Sequence, residues 1–259
     1  MSLFSKFGWY ARAAMAQRGL NLHGLPLIPK SFWPDTPRHR EAFNQFIIWI
    51  HRLQVPRVNR VVDVGANHGD FSLAASMMYP EAQVLLVEPL PKLQPELERR
   101  CARRNGHWRL ATCALGSQAG SAILHVDPSF DAIGSLLEFS EEYLKANLLA
   151  RPRQTLTCTV RTLDELCAEQ DIQTIDLLKI DVEGFEFEVL QGAARMLHAT
   201  TALIIELSLV RRGDGSEALT RILEVLSAAG LRMVELYPSL FSKEAPWLPV
   251  EFNLLARRL

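Results

Sequence analysis

Apolar and polar positions along this chain switch between two periods. From residue 59 onward, short apolar runs of strand length alternate with stretches whose apolar residues recur at helical spacing. That alternation predicts an α/β fold, a mostly parallel sheet with helices on both faces. Strands are expected at 59–64, 83–88, 108–115, 175–181 and 201–207, with two more near 231–237 and 250–257. Helices are expected between them at about 70–79, 91–104, 162–170, 185–198 and 216–229. The helix at 185–198 sets Phe185, Val189, Ala193 and Met196 on one stripe. Thr162 and Glu165 have the spacing of a capping box, and Gly230 is a C-terminal stop signal.

Two regions depart from this rhythm. Residues 1–58 are expected to form an N-terminal helical cap: a Pro-containing connector leads to a helix with Phe43, Phe46, Ile47, Ile50 and Leu53 on one face. The main domain then runs over 59–259. Within it, "SAILHVD" and "QTLTCTV" alternate like antiparallel strands, so 117–160 is expected to be a small β insertion over the sheet.

Composition narrows the function classes. The 259 residues are enough for a large core, and 48% hydrophobic with 22% charged is the balance of a globular protein. A net charge of −1 gives no general attraction to nucleic acid, so no nucleic-acid partner is expected. The basic run "ERRCARRN" reads as the solvated end of a helix, with a phosphate-binding role as the alternative. Cys101, Cys113, Cys158 and Cys167 lack metal or disulfide spacing, which suits reduced thiols and a cytoplasmic location. No run approaches the roughly 18 apolar residues of a membrane span. "MSLFSKFGWYARAAMAQRG" is too interrupted by charge for a signal peptide. It reads as a helix packed over the domain or over a partner subunit, leaving a homo-oligomer open; a peripheral membrane contact is the alternative.

The chemistry concentrates at "VVDVGANHGDFS". A buried strand ends in Asp63, and Gly65 and Gly69 enclose Ala66, Asn67 and His68. In a doubly wound sheet, ligands bind beyond the carboxyl ends of the strands. Glycine there permits a sharp turn and a close approach to the backbone. The second strand ends at Glu88, followed by Pro89, at about the 20-residue separation where dinucleotide folds hold a ribose with an acid. The pair points to an adenosine-type ligand. The third glycine of a dinucleotide fingerprint and the Walker lysine are both missing.

The D-x-G-x-x-x-G pattern resembles motif I of S-adenosylmethionine-dependent methyltransferases. "VVDVGANHGDFS", "VLLVEPLP", "CALGSQAGSAILHV", "VRTLDEL" and "IDLLKIDVEGFEFEVLQGA" occur in the order and spacing of the FkbM-like methyltransferases, over roughly residues 59–207. The resemblance implies a class I, Rossmann-like, seven-stranded core and methyl transfer from S-adenosylmethionine, usually to oxygen. The family's better-known members act on hydroxyls of sugars, glycolipids or polyketides, so the acceptor implied is a small molecule or glycan.

By the same resemblance, Asp63, Gly65, Ala66, Asn67, His68 and Gly69 bind the cofactor, the loop residues lining its methionine and ribose side, with Glu88–Pro89 at the ribose. His68 as a solvated loop residue is the alternative. Ala114 is the position named for the adenine end. Asp181 and Glu183 follow the fourth strand, where Asp181 would act as base or acceptor-positioning group and Glu183 stands second; the alternative has them capping the next helix. Asp181, Glu183 and Glu206 could also gather a divalent metal, although their spacing is no metal motif. Lys179 either pairs with one of these acids or points outward. Ser135 either meets the acceptor or ends a turn. Rival readings are a protein, lipid or nucleic-acid acceptor, a dinucleotide-dependent oxidoreductase, or a non-catalytic cofactor-binding module.

Overall fold

The computed structural model describes residues 37–127, 134–138, 154–210, 215–241 and 247–259. The first described element is helix α1 (Pro37–Leu53). Its Phe43, Ile47, Ile50 and Leu53 recur at three- and four-residue steps and are almost fully buried. The N-terminal 36 residues, including the amphipathic stretch, lie outside the described residues.

The expected alternation follows: β1 (Arg60–Val64), α2 (Asp70–Met78), β2 (Gln83–Val87), α3 (Gln94–Ala102) and β3 (Trp108–Ala111). After an intervening small sheet come α4 (Leu163–Glu169), β8 (Ile175–Ile180), α5 (Glu186–Gln191), α6 (Ala194–His198), β9 (Thr200–Ser208), α7 (Gly215–Ala228), β10 (Leu231–Phe241) and β11 (Pro249–Arg258). The seven strands lie in the order β10-β11-β9-β8-β1-β2-β3, and β11 alone runs antiparallel to its neighbours. The chain winds outward from β1 in one direction and from β8 in the other, so a crevice opens where the two runs diverge.

Alternate residues of the central strands feed two cores. Val61, Leu86, Leu177 and Ile204 pack with α1, α2 and α3 on one face. Val62, Leu85, Leu178 and Leu203 pack with α4 to α7 on the other. Both faces are therefore buried, which is why the strands read as continuous apolar runs.

Two boundaries differ from expectation. The strand foreseen at 108–115 ends at Ala111; Ala114–Leu115 forms β4, which leaves the main sheet and pairs with Val160 and Arg161. The helix foreseen at 185–198 breaks at Gly192, where a Cβ would meet the Gly116 carbonyl oxygen at 2.1 Å. Its second half is capped from across the fold, because the Asp164 carboxylate accepts from the N–H groups of Arg195 and Met196. The Thr162–Glu165 capping box forms as read.

The insertion is a second sheet, ordered β4-β7-β5-β6, from β4, β5 (Gly120–Val126), β6 (Gly134–Ser135) and β7 (Gln154–Arg161). β5 and β7 pair antiparallel, with Leu124 opposite Leu156. All four cysteines are free thiols. Among the described residues no helix is long and apolar enough to cross a membrane.

Candidate active site

The turn after β1 is held mainly by its own backbone. Gly65 and Ala66 donate to the Val87 carbonyl, and Gly65 sits at φ +71°. A Cβ at Gly65 would lie 1.8 Å from the Asp181 carbonyl oxygen. The close approach that demands glycine is thus made by the protein itself, at the end of β8. Gly69 is required for another reason: it begins α2 in the left-handed conformation, at φ +78°.

Five loop residues were expected to face a ligand, and the structure brings two of them, Gly65 and Asn67, to the wall of a cleft. Ala66 belongs to the core beneath α2. His68 turns toward Glu96, with Nδ1 2.9 Å from its carboxylate, and packs edge-on against His39. The Cβ direction of Gly69 points at Leu86, Leu97 and Trp108. Asp63 is fully buried below the cleft, accepting from the Ser72 hydroxyl at 2.7 Å; burial raises its pKa.

Glu88 and Pro89 do line the cleft. The Glu88 carboxylate accepts from the Asn67 N–H at 2.8 Å through one oxygen and from the Leu90 N–H at 2.9 Å through the other. Burial nevertheless pushes its pKa up to about 7, because the two backbone donors only partly offset desolvation. Each carboxylate oxygen can accept two hydrogen bonds, so one acceptor position per oxygen remains for a ligand.

The cleft spans about 590 Å³ with its open mouth and the solvent in it included. One end is apolar, lined by Cys113, by Ala114 and Leu115 of β4, and by Leu124 and Leu136. Burial pushes the Cys113 thiol up to about 11, so this wall stays neutral. The other end is formed by Asp181, Val182, Glu183 and Phe185.

That second end is a strained, heavily braced turn. Glu183 has φ +60° and Gly184 φ +100°, and a non-glycine residue in this region costs energy that neighbours must offset. The brace is Glu186, whose carboxylate accepts from the N–H groups of Val182 and Gly184 at 3.2 and 2.9 Å. Burial pushes Glu186 up to about 7. The sequence reading missed this residue and assigned the possible capping role to Asp181 and Glu183. Glutamate two positions after a glycine at a helix start was the available signal. Ser135 adds a second brace, donating to the Glu183 carbonyl at 2.7 Å and accepting from the Leu137 N–H. It is 2% exposed and lies behind the wall that its neighbours Gly134 and Leu136 line.

Lys179 points inward. Its ammonium lies 3.2 Å from Asp181 and 3.5 Å from Asp63, and donates to the Gly65 carbonyl at 2.7 Å. Burial alone would lower its pKa, but Asp181 and Asp63 outweigh that and push it up to about 12.

The FkbM methyltransferase domain model matches residues 63–233, from the end of β1 into β10. The chain belongs to this family. Its relatives include methyltransferase sdnD of Sordaria araneosa, 31% identical over 51% of this chain and 59% of that protein. The 2-O-methyltransferase NoeI of Sinorhizobium fredii is 26% identical over 64% of this chain and 70% of its own length. The hexuronic acid methyltransferase AglP of Haloferax volcanii is 26% identical over 56% of this chain and 54% of its length. The chain thus spans little more than half the length of two of these three relatives.

In this FkbM-family chain the three metal candidates do come together: Asp181, Glu183 and Glu206 each offer an oxygen within 4.8 Å of the others. Oxygen donors suit a hard cation. Lys179 stands beside Asp181, and burial with the neighbouring Asp181 and Glu251 raises the Glu206 pKa.

Proposed function

We propose that this protein is an S-adenosylmethionine-dependent O-methyltransferase acting on a hydroxyl, that of a sugar in a glycan, glycolipid or secondary metabolite. The observation that carries the reading is the pairing, across one cleft, of a carboxylate with two spare acceptor positions and a second carboxylate held beside a lysine. Glu88 offers those positions to the two ribose hydroxyls, next to the Gly65 and Asn67 backbone. Ala114 and the apolar wall around it suit the adenine face. Asp63, Ala66, His68 and Gly69 shape and support the turn from behind.

When bound, the cofactor supplies a methyl group on a positively charged sulfur. Asp181 would hold the acceptor hydroxyl and take up its proton as the methyl group is transferred. The neighbouring Lys179, 3.2 Å away, holds the Asp181 carboxylate in place for this step. Glu183, on the same turn, orients the acceptor. The name of NoeI, a 2-O-methyltransferase, supports methylation at oxygen, and that of AglP, a hexuronic acid methyltransferase, supports a sugar acceptor.

The test is transfer of label from methyl-labelled S-adenosylmethionine to a panel of sugars, glycolipids and simple amines. Label on hydroxyl acceptors, reduced at least about a hundredfold by Asp181→Asn, is the expected result. Label confined to amines would contradict the reading.

A further inference from the structure

Lysine is an odd residue for the middle of a buried parallel sheet. Lys179 lies in β8 directly opposite Asp63 of β1, and it is 5% exposed. A buried ion pair gives little net stability and can often be replaced by apolar residues of similar size. Charge balance with Asp63 therefore does not explain why the ammonium sits where it does. Its ammonium donates to the carbonyl of Gly65 and stands 3.2 Å from Asp181, while Asp63 lies at the longer ion-pair distance of 3.5 Å. The shortest of these contacts, 2.7 Å, is to Gly65, a cleft-lining residue in a left-handed turn. The same turn abuts Asp181 so closely that a Cβ cannot fit between them.

We infer that Lys179 is a positioning residue that ties the cofactor turn at Gly65 to the carboxylate of Asp181, so that cofactor binding and proton acceptance share one rigid frame. This rests on the reading that the cleft binds S-adenosylmethionine. A single replacement would leave Asp63 buried without its counter-charge, and loss of folding would obscure the result. Neutral pairs avoid this. Asp63→Asn with Lys179→Met removes every donor at position 179. Asp63→Asn with Lys179→Gln keeps an amide that can donate to the Gly65 carbonyl.

Both pairs and the wild type are titrated with S-adenosylhomocysteine, and their urea midpoints are measured without ligand. Both pairs should unfold close to the wild-type midpoint. The methionine pair should bind at least tenfold more weakly than wild type, and the glutamine pair at least threefold more tightly than the methionine pair. A methionine pair binding within threefold of wild type, or two pairs binding alike, would overturn the inference and leave Lys179 as charge balance only. Failure of both neutral pairs to fold would overturn it too, since its contribution to stability would then exceed charge balance. A wild type that does not bind S-adenosylhomocysteine would instead sink the cofactor reading, and this inference with it.

Discussion

The two carboxylates that face the cleft are held in opposite ways. Glu88, at the end of β2, is gripped by backbone N–H groups on both oxygens, a support as rigid as the turns that supply it. Asp181, at the end of β8, has a lysine side chain beside it and lies close enough to Glu183 and Glu206 to form an acid cluster. The first arrangement makes a fixed acceptor, suited to recognising hydroxyls. The second sets a carboxylate among a lysine and other acids, and it carries the proposed proton-accepting role. Two acids at the ends of adjoining parallel runs thus acquire different chemistry from their surroundings alone.

The hardest blow to this division is at the junction between the two regions. Gly65→Ala should cost about 4 kcal/mol in urea unfolding, because its Cβ collides with the Asp181 carbonyl and its φ is positive. Gly106→Ala is the control, with φ +81° and nothing within 4 Å of the new Cβ; it should cost about 1 kcal/mol. Equal costs would mean that conformation, not contact between the regions, fixes Gly65.

A smaller effect comes from pH. Each region contains a buried glutamate, Glu88 or Glu186, pushed by burial from 4.5 to about 7. The folded chain then holds protons that the unfolded chain has released. Their stabilisation is complete below about pH 4.5 and is lost as pH rises through 7, on the order of 3 kcal/mol for each. The urea midpoint should therefore fall between pH 5 and 8. Glu88→Gln and Glu186→Gln should each flatten part of that decline. A midpoint that rises over this range would show that the backbone donors, not burial, dominate.

The smallest change separates the regions most cleanly. Ser135→Ala removes the hydroxyl that links the insertion to the Glu183 turn, and should cost about 1 kcal/mol. A loss several times larger would mean that the insertion supports the whole cleft and not that turn alone.

Much of the fold was legible because both faces of the main sheet are buried, which turns each strand into an apolar run with helical spacing on either side. Glu88 was legible as well, since its distance from Gly65 follows from one strand–helix–strand unit. What escaped depends on contacts between distant segments. The clash that requires Gly65 comes from the end of β8, and the break at Gly192 from the carbonyl of Gly116. Glu186 became a brace because Glu183 and Gly184 adopt positive φ, which turns two N–H groups toward it. His68 faces Glu96 because α3 packs beside the turn, and no spacing within the loop encodes that direction.

The most direct test of the division between the two carboxylates is a calorimetric titration with S-adenosylhomocysteine on the wild type and on Glu88→Ala. Micromolar binding that weakens at least about tenfold in the variant, a loss of about 1.4 kcal/mol or more, is the predicted result. No binding by folded wild-type protein, or equal binding by the two, would contradict the assignment of Glu88 as the ribose acceptor and of the cleft as the cofactor site.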